Sequence, residues 1–253
     1  MLGSPRSSEP TVFSAAAAGD VAGVLACFSA GRIDAQDSDG RTALHLAAAA
    51  GHSEVVKCLI ERGAQVSTVD EGNWSPIHSA AAAGRSECLM DLLAAGANVD
   101  ARAGSSASTA LILAASKGRL EIVRALLLAS ANVQAVDKSG ATALHRAAGR
   151  GELAIMELLL GALPAGTVID ARDGEGHTAF HVAAIHEQEH ACVLLAEKGA
   201  ELNTSNAGGE VPKALLKPSL RSQLGLADDE EAAEDHTDWL NASFPVPKVP
   251  RVA

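Results

Sequence analysis

One tetrapeptide recurs at a nearly fixed spacing along this chain, and that recurrence constrains the fold more than any other feature. It reads T-A-L-H at Thr42–His45, S-P-I-H at Ser75–His78 and T-A-L-I at Thr109–Ile112. It returns as T-A-L-H at Thr142–His145 and T-A-F-H at Thr178–His181, with a worn copy, V-P-K-A, at Val211–Ala214. Successive starts lie 33, 34, 33, 36 and 33 residues apart. A unit of that length holds one supersecondary motif and cannot bury its apolar side alone. Neighbouring units must therefore stack.

Each copy carries the signals of a helix pair. Thr42 and its equivalents are placed as N-caps whose hydroxyl satisfies a free helix N–H. Pro76 and Pro212 follow at the first helical position, where proline loses no hydrogen bond. After an Ala-Ala pair, Gly51, Gly84, Gly118 or Gly151 ends the short helix in a left-handed conformation. A second helix repeats apolar residues at helical spacing, as in Val55, Val56, Leu59 and Ile60, or Ile122, Val123, Leu126 and Leu127. An extended stretch anchored by Val66, Val99, Val133, Ile169 or Leu202 then leads to an Asp/Gly turn.

The period and the tetrapeptide together resemble the ankyrin repeat. The expected fold class is an all-α repeat, an ankyrin-repeat solenoid of about seven helix-turn-helix units with β-hairpin-like fingers. Expected boundaries are a disordered N-terminus over 1–10, the repeat domain over 11–222 with degenerate first and last units, and an acidic, disordered tail over 223–253. Three irregularities are expected to adjust local shape: the finger at Gly104–Ser108, the insertion at Leu163–Thr167, and Glu187 in place of a glycine.

Composition narrows the function classes. Hydrophobic residues make up 47% but aromatics only 2%, so a core of Ala, Leu and Val needs close helix packing. The net charge is −11, of which residues 227–253 hold −5. Both figures argue against nucleic acid or an anionic membrane as partner. The scattered Cys27, Cys58, Cys88 and Cys192 read as reduced thiols, not a disulfide framework. With no signal core and no long apolar run, the expected location is the cytoplasm or nucleus.

No constellation for chemistry converges. His45, His78, His145 and His181 fall on separate units, forming a ladder of hydrogen bonds between neighbours instead of a metal site. His186 and His190 share a face only if one helix runs through Glu187. Phosphate loops, cysteine pairs and nucleophile elbows are lacking, so no enzyme activity, metal or cofactor is expected. The exposed first-helix positions and the fingers should line one concave surface. A basic strip of Lys117, Lys138, Arg146 and Arg150 lies there, with Arg41 and Trp74 nearer its N-terminal end. Trp and Arg are favoured interface anchors, so these residues are the candidate partner-binding set.

Three longer segments are similar to the gankyrin family, the ankyrin-repeat chaperones of the proteasome regulatory particle. They are Asn73–Arg85 (NWSPIHSAAAAGR), Ala115–Ile122 (ASKGRLEI) and Ala141–Leu153 (ATALHRAAGRGEL). The resemblance covers roughly residues 11–222. It implies a monomer when free that grips the C-terminal domain of a regulatory-particle ATPase subunit, with Arg41 and Lys117 at the family's basic contacts. The family's retinoblastoma-binding pentapeptide would fall at Val182–His186, which reads VAAIH, so that activity is not implied. The competing reading is a generic ankyrin scaffold, or an inhibitor of a kinase or transcription factor.

Overall fold

The computed structural model describes residues 11–28, 33–164 and 169–226. The expected disordered N-terminus, most of the insertion after Leu163, and all of the expected tail beyond residue 226, with Trp239, Leu240 and Phe244, lie outside the described residues, while Gln223, placed in that tail, ends a helix. Among those described, fourteen helices succeed one another in pairs. They are α1 (Val12–Ala18) and α2 (Val21–Phe28), α3 (Ala43–Ala50) and α4 (Ser53–Glu61), α5 (Pro76–Ala83) and α6 (Ser86–Ala94), and α7 (Ala110–Ser116) and α8 (Leu120–Leu128). Then come α9 (Ala143–Arg150) and α10 (Leu153–Gly161), α11 (Ala179–Ile185) and α12 (Glu189–Glu197), and the short α13 (Pro212–Leu215) and α14 (Pro218–Gln223). The described residues fall into two compact units, one through Leu215 and one from Leu216.

In the first unit, successive first helices pack side by side from α1 through α3, α5, α7, α9 and α11 to α13. Second helices form a parallel layer from α2 through α4, α6, α8 and α10 to α12. The alanine pairs make the first layer possible. Ala47, Ala48, Ala80, Ala81, Ala114, Ala115, Ala147 and Ala148 are all completely buried, so there is no room for a longer side chain. Each second helix supplies the larger apolar groups, for example Val55, Val56 and Leu59, or Ile155, Met156 and Leu159. Burying each of these contributes roughly 1.5–3 kcal/mol. Cys58, Cys88 and Cys192 are buried free thiols, and burial pushes the Cys192 thiol up to about 11.

The helix starts are more elaborate than a simple hydroxyl cap. At Thr109 and Thr178 the hydroxyl does accept from the N–H three residues on, at 3.4 Å. The histidine of the tetrapeptide adds a reciprocal bond, its Nδ1 accepting from the cap residue's own N–H at 3.1–3.2 Å. That fixes the proton on Nε2, which donates to a carbonyl of the next repeat. His45 reaches Trp74 O, His78 reaches Ala101 O, His145 reaches His177 O and His181 reaches Glu210 O. Each ring thus caps its own helix and ties two repeats together, as the ladder reading requires.

Among the described residues, four that are not glycine have positive φ: Asn73, Ala107, Ser130 and Glu187. Every one stands where other repeats carry a glycine. Asn73 and Ala107 match Gly40 and Gly140, two residues before the N-cap, and Ser130 matches Gly63 and Gly96. Glu187 matches Gly51 and Gly84, and adopts φ +54° as they adopt +93° and +74°. The backbone geometry is imposed by the stack, and the side chain submits to it.

The finger at Gly104–Ser108 departs from the others by forming a two-stranded antiparallel ribbon, β1 (Arg102–Ala103) with β2 (Ser108–Thr109). Its repeat also lacks the linking histidine, having buried Ile112 instead. Arg102 takes over, donating to Val136 O at 2.7 Å, while the Lys138 N–H donates to Ser106 O at 2.8 Å.

Candidate partner-binding surface

The fingers come first in each repeat, and their Asp-x-x-Gly turns decide the fate of nearby cations. Asp37 accepts from the backbone of Asp39 and Arg41, and its free oxygen then faces the Arg41 side chain. Arg41 binds that oxygen through Nε at 3.0 Å and a terminal nitrogen at 2.9 Å, and reaches Asp39 at 2.7 Å. Asp137 repeats the pattern in a drier place, its side chain only 1% exposed. It accepts from Ser139 N and Oγ and from Ala141 N. Arg146, projecting from the first turn of α9, completes the set through Nε at 3.1 Å and a second, shorter contact. Burial alone would raise the Asp137 carboxyl, but the Arg146 and Ser139 donors outweigh it and hold it below the usual carboxylate range.

The predicted strip is therefore not a row of unpaired cations. Arg41 and Arg146 are engaged by carboxylates of their own fingers, and Arg150 lies 3.4 Å from Glu152. Lys117 and Lys138 are exposed and have no ion-pair partner among the described residues. Trp74 is half-buried within the finger stack. Its ring meets His78 edge-on at a centroid distance of 6.3 Å, and Gly104 packs against its indole nitrogen. The partners Asp37, Asp137 and Glu152 were missed in the sequence, although an arginine four residues after the turn's aspartate was a readable signal for Arg41.

One part of the strip does converge. Ser116, His145, Arg146, Gly149, Arg150, Val182 and His186 line a groove of ≈ 240 Å³ across α7, α9 and α11. Lys117, directly after Ser116, caps α7 beside it. Gly149 makes the floor, and a Cβ there would come within 3.0 Å of Val182. His186 and His190 do not share a helix, because α11 ends at Ile185 and α12 starts at Glu189. The described residues contain no group of three or more His, Cys, Asp or Glu side chains able to hold a metal ion. What the surface offers is a shallow, small-floored channel with a cationic rim, suited to an extended or helical segment bearing carboxylates.

Comparison with known proteins places the scaffold. The family model "Ankyrin repeats (3 copies)" matches residues 12–103, 90–173 and 111–206. The chain is 30% identical over 194 residues to mouse NF-kappa-B inhibitor zeta, covering 73% of this chain and 26% of that protein. It is 49% identical over 39 residues to the human 26S proteasome non-ATPase regulatory subunit 10, covering 15% of this chain and 17% of that one. It spans about a quarter or less of the length of the curated relatives it matches. Among solved structures, the ankyrin repeat domain of Bcl-3, a member of the IkappaB protein family, superimposes with a TM-score of 0.75 at 25% identity. That match covers 87% of this chain and 99% of the other. With its tetrapeptide caps, paired helices and fingers all in register, the chain belongs to the ankyrin-repeat family.

Proposed function

We propose that the chain is a non-catalytic chaperone that holds an acidic surface of a protein client along the α7–α9–α11 groove. In the finer reading the client is the C-terminal domain of a proteasomal ATPase subunit, bound during assembly of the regulatory particle. The observation that carries the binding mode is the groove itself: Gly149 lowers its floor, while Lys117, Arg146 and Arg150 stand at its rim. The proteasomal client draws its support from the 39-residue match and from the three segments similar to gankyrin.

A second reading, a scaffold or inhibitor that masks a transcription factor, is favoured by the match to NF-kappa-B inhibitor zeta over 73% of the chain. Both readings use the same ankyrin scaffold and differ in client. Calorimetric titration of the full chain against each proteasomal ATPase C-terminal domain, and against NF-kappa-B, separates them. The first reading expects salt-sensitive binding to one ATPase domain, weakened roughly tenfold or more by Lys117→Glu/Arg150→Glu. No binding to any ATPase domain by the folded protein sinks it, and binding to NF-kappa-B with the same charge sensitivity installs the second.

A further inference from the structure

The second helices present outward rows that can be read in register across repeats. The buried triplets Cys88, Leu89 and Leu92, then Ile122, Val123 and Leu126, then Ile155, Met156 and Leu159 fix the alignment. One outward row is Glu61, Ala94, Leu128, Gly161 and Glu197. Another, one turn earlier, is Lys57, Met90, Arg124, Glu157 and Val193. Leu128 is 82% exposed in a row whose other members are acidic or small. Beside it a groove of ≈ 360 Å³ runs between α8 and α10, with an apolar floor that includes Leu127, Leu158 and Ala162. A Cβ built at Gly161 would meet nothing within 4 Å, so the space before it is open.

We infer that this face binds a second copy of the chain, in place of the monomer expected from the sequence. The knob at Leu128 and the hollow at Gly161 are 33 residues apart, one repeat, and so are Arg124 and Glu157. A two-fold axis along the groove between α8 and α10 therefore sets each Leu128 opposite Gly161 of the partner subunit. One turn away, the same operation sets each Arg124 opposite Glu157 of the partner subunit. An isologous interface needs a patch complementary to itself, and this patch is so in both shape and charge. Both charges are available: Arg124 is half-exposed with only a long 3.8 Å contact to Glu121, and exposed Glu157 has no ion-pair partner among the described residues. The patch is small, so the association is weak and concentration-dependent.

Sedimentation velocity of the full chain from micromolar to millimolar concentration tests this. A reversible dimer is expected, weakened about tenfold or more by Leu128→Glu. Glutamate occupies the same row at Glu61 and Glu197, so an unchanged melting curve should accompany the loss. Arg124→Glu and Glu157→Arg should each weaken self-association, whereas mixing the two variant chains should restore it, because both like-charge pairs become opposite pairs. A monomer at every concentration, self-association indifferent to Leu128→Glu, or a mixture no tighter than either variant alone overturns the proposal. Capture of an added amphipathic helix by a chain that stays monomeric would also overturn it, assigning the groove to a different occupant.

Discussion

Lowering the pH should unfold this protein well above the range where carboxylates titrate, and the four buried histidines set the size of the effect. His45, His78, His145 and His181 are 0–2% exposed. Burial lowers all four pKa values, while the carbonyl accepting from each Nε2 pushes weakly the other way. The geometry shows why: Nδ1 already accepts a backbone N–H, so a proton placed there would face another donor and break the cap. The sign follows from linkage. The unfolded chain takes up protons below about pH 6.5 that the folded chain refuses, so stability falls as pH drops through that value and is flat above it. Each refused proton removes about 1.4 kcal/mol per pH unit. If none of the four rings protonates in the folded state, the loss between about pH 7.5 and 5.5 reaches about 5 kcal/mol. That is comparable to the whole stability of many domains. Asp91 and Asp170, both raised by burial, oppose the trend toward the acid end, while Asp37 and Asp137, held low, stabilise the fold above the ordinary carboxylate range and lose that contribution only as the pH falls through and below it.

The assay is urea unfolding by circular dichroism across that pH range at constant ionic strength. His78→Ile supplies the attribution, since the chain itself uses isoleucine in this register at Ile112. The variant should lose about 1–3 kcal/mol near neutral pH with its cap and inter-repeat bonds, yet its stability should fall about a quarter less on acidification. Equal stability at both ends of the range would refute the reasoning. So would a fall in His78→Ile as steep as in the parent chain.

The remaining expectations concern single positions. Ala80→Leu overpacks a fully buried contact between first helices and should lower stability by roughly 1–3 kcal/mol in a thermal melt. Ser130→Gly removes a Cβ from a left-handed residue and should raise stability by about 0.5–1 kcal/mol; a fall would show that the serine side chain contributes there. Asp137→Ala strips the acceptor from Ser139, Ala141 and Arg146 and should lower stability by about 2–3 kcal/mol, whereas exposed Lys138→Ala should leave the melt unchanged.

The fold was legible because its determinants are local and repeated. The cap, the alanine pair, the glycine and the second-helix stripe each recur at one spacing, so each repeat corroborates the next. Even the exceptions fall in register: Glu187 and Ser130 keep the left-handed backbone of the glycines they replace. The double use of histidine was half legible. A ladder of rings between repeats follows from the 33-residue spacing, but the reciprocal bond of Nδ1 to the cap N–H depends on side-chain direction within one turn.

The candidate surface was harder to read because charge in a sequence is not charge at a surface. Arg41, Arg146 and Arg150 look alike along the chain. In space, Arg41 closes a finger turn on Asp37, Arg146 neutralises a nearly dry Asp137, and Arg150 stands half-exposed near Glu152. Replacing Arg146 thus leaves a buried carboxylate short of its main donor, and any binding defect that follows is inseparable from a damaged finger. Lys117 and Lys138 carry no such structural duty in the described residues, so their removal is the cleaner probe of a client. The same distinction explains the second-helix face. Leu128 is unremarkable in an apolar helix until the repeat register shows its row to be otherwise acidic or small. In a repeat protein, the residue that breaks its row without a partner inside the chain is the one whose reason must be sought outside it.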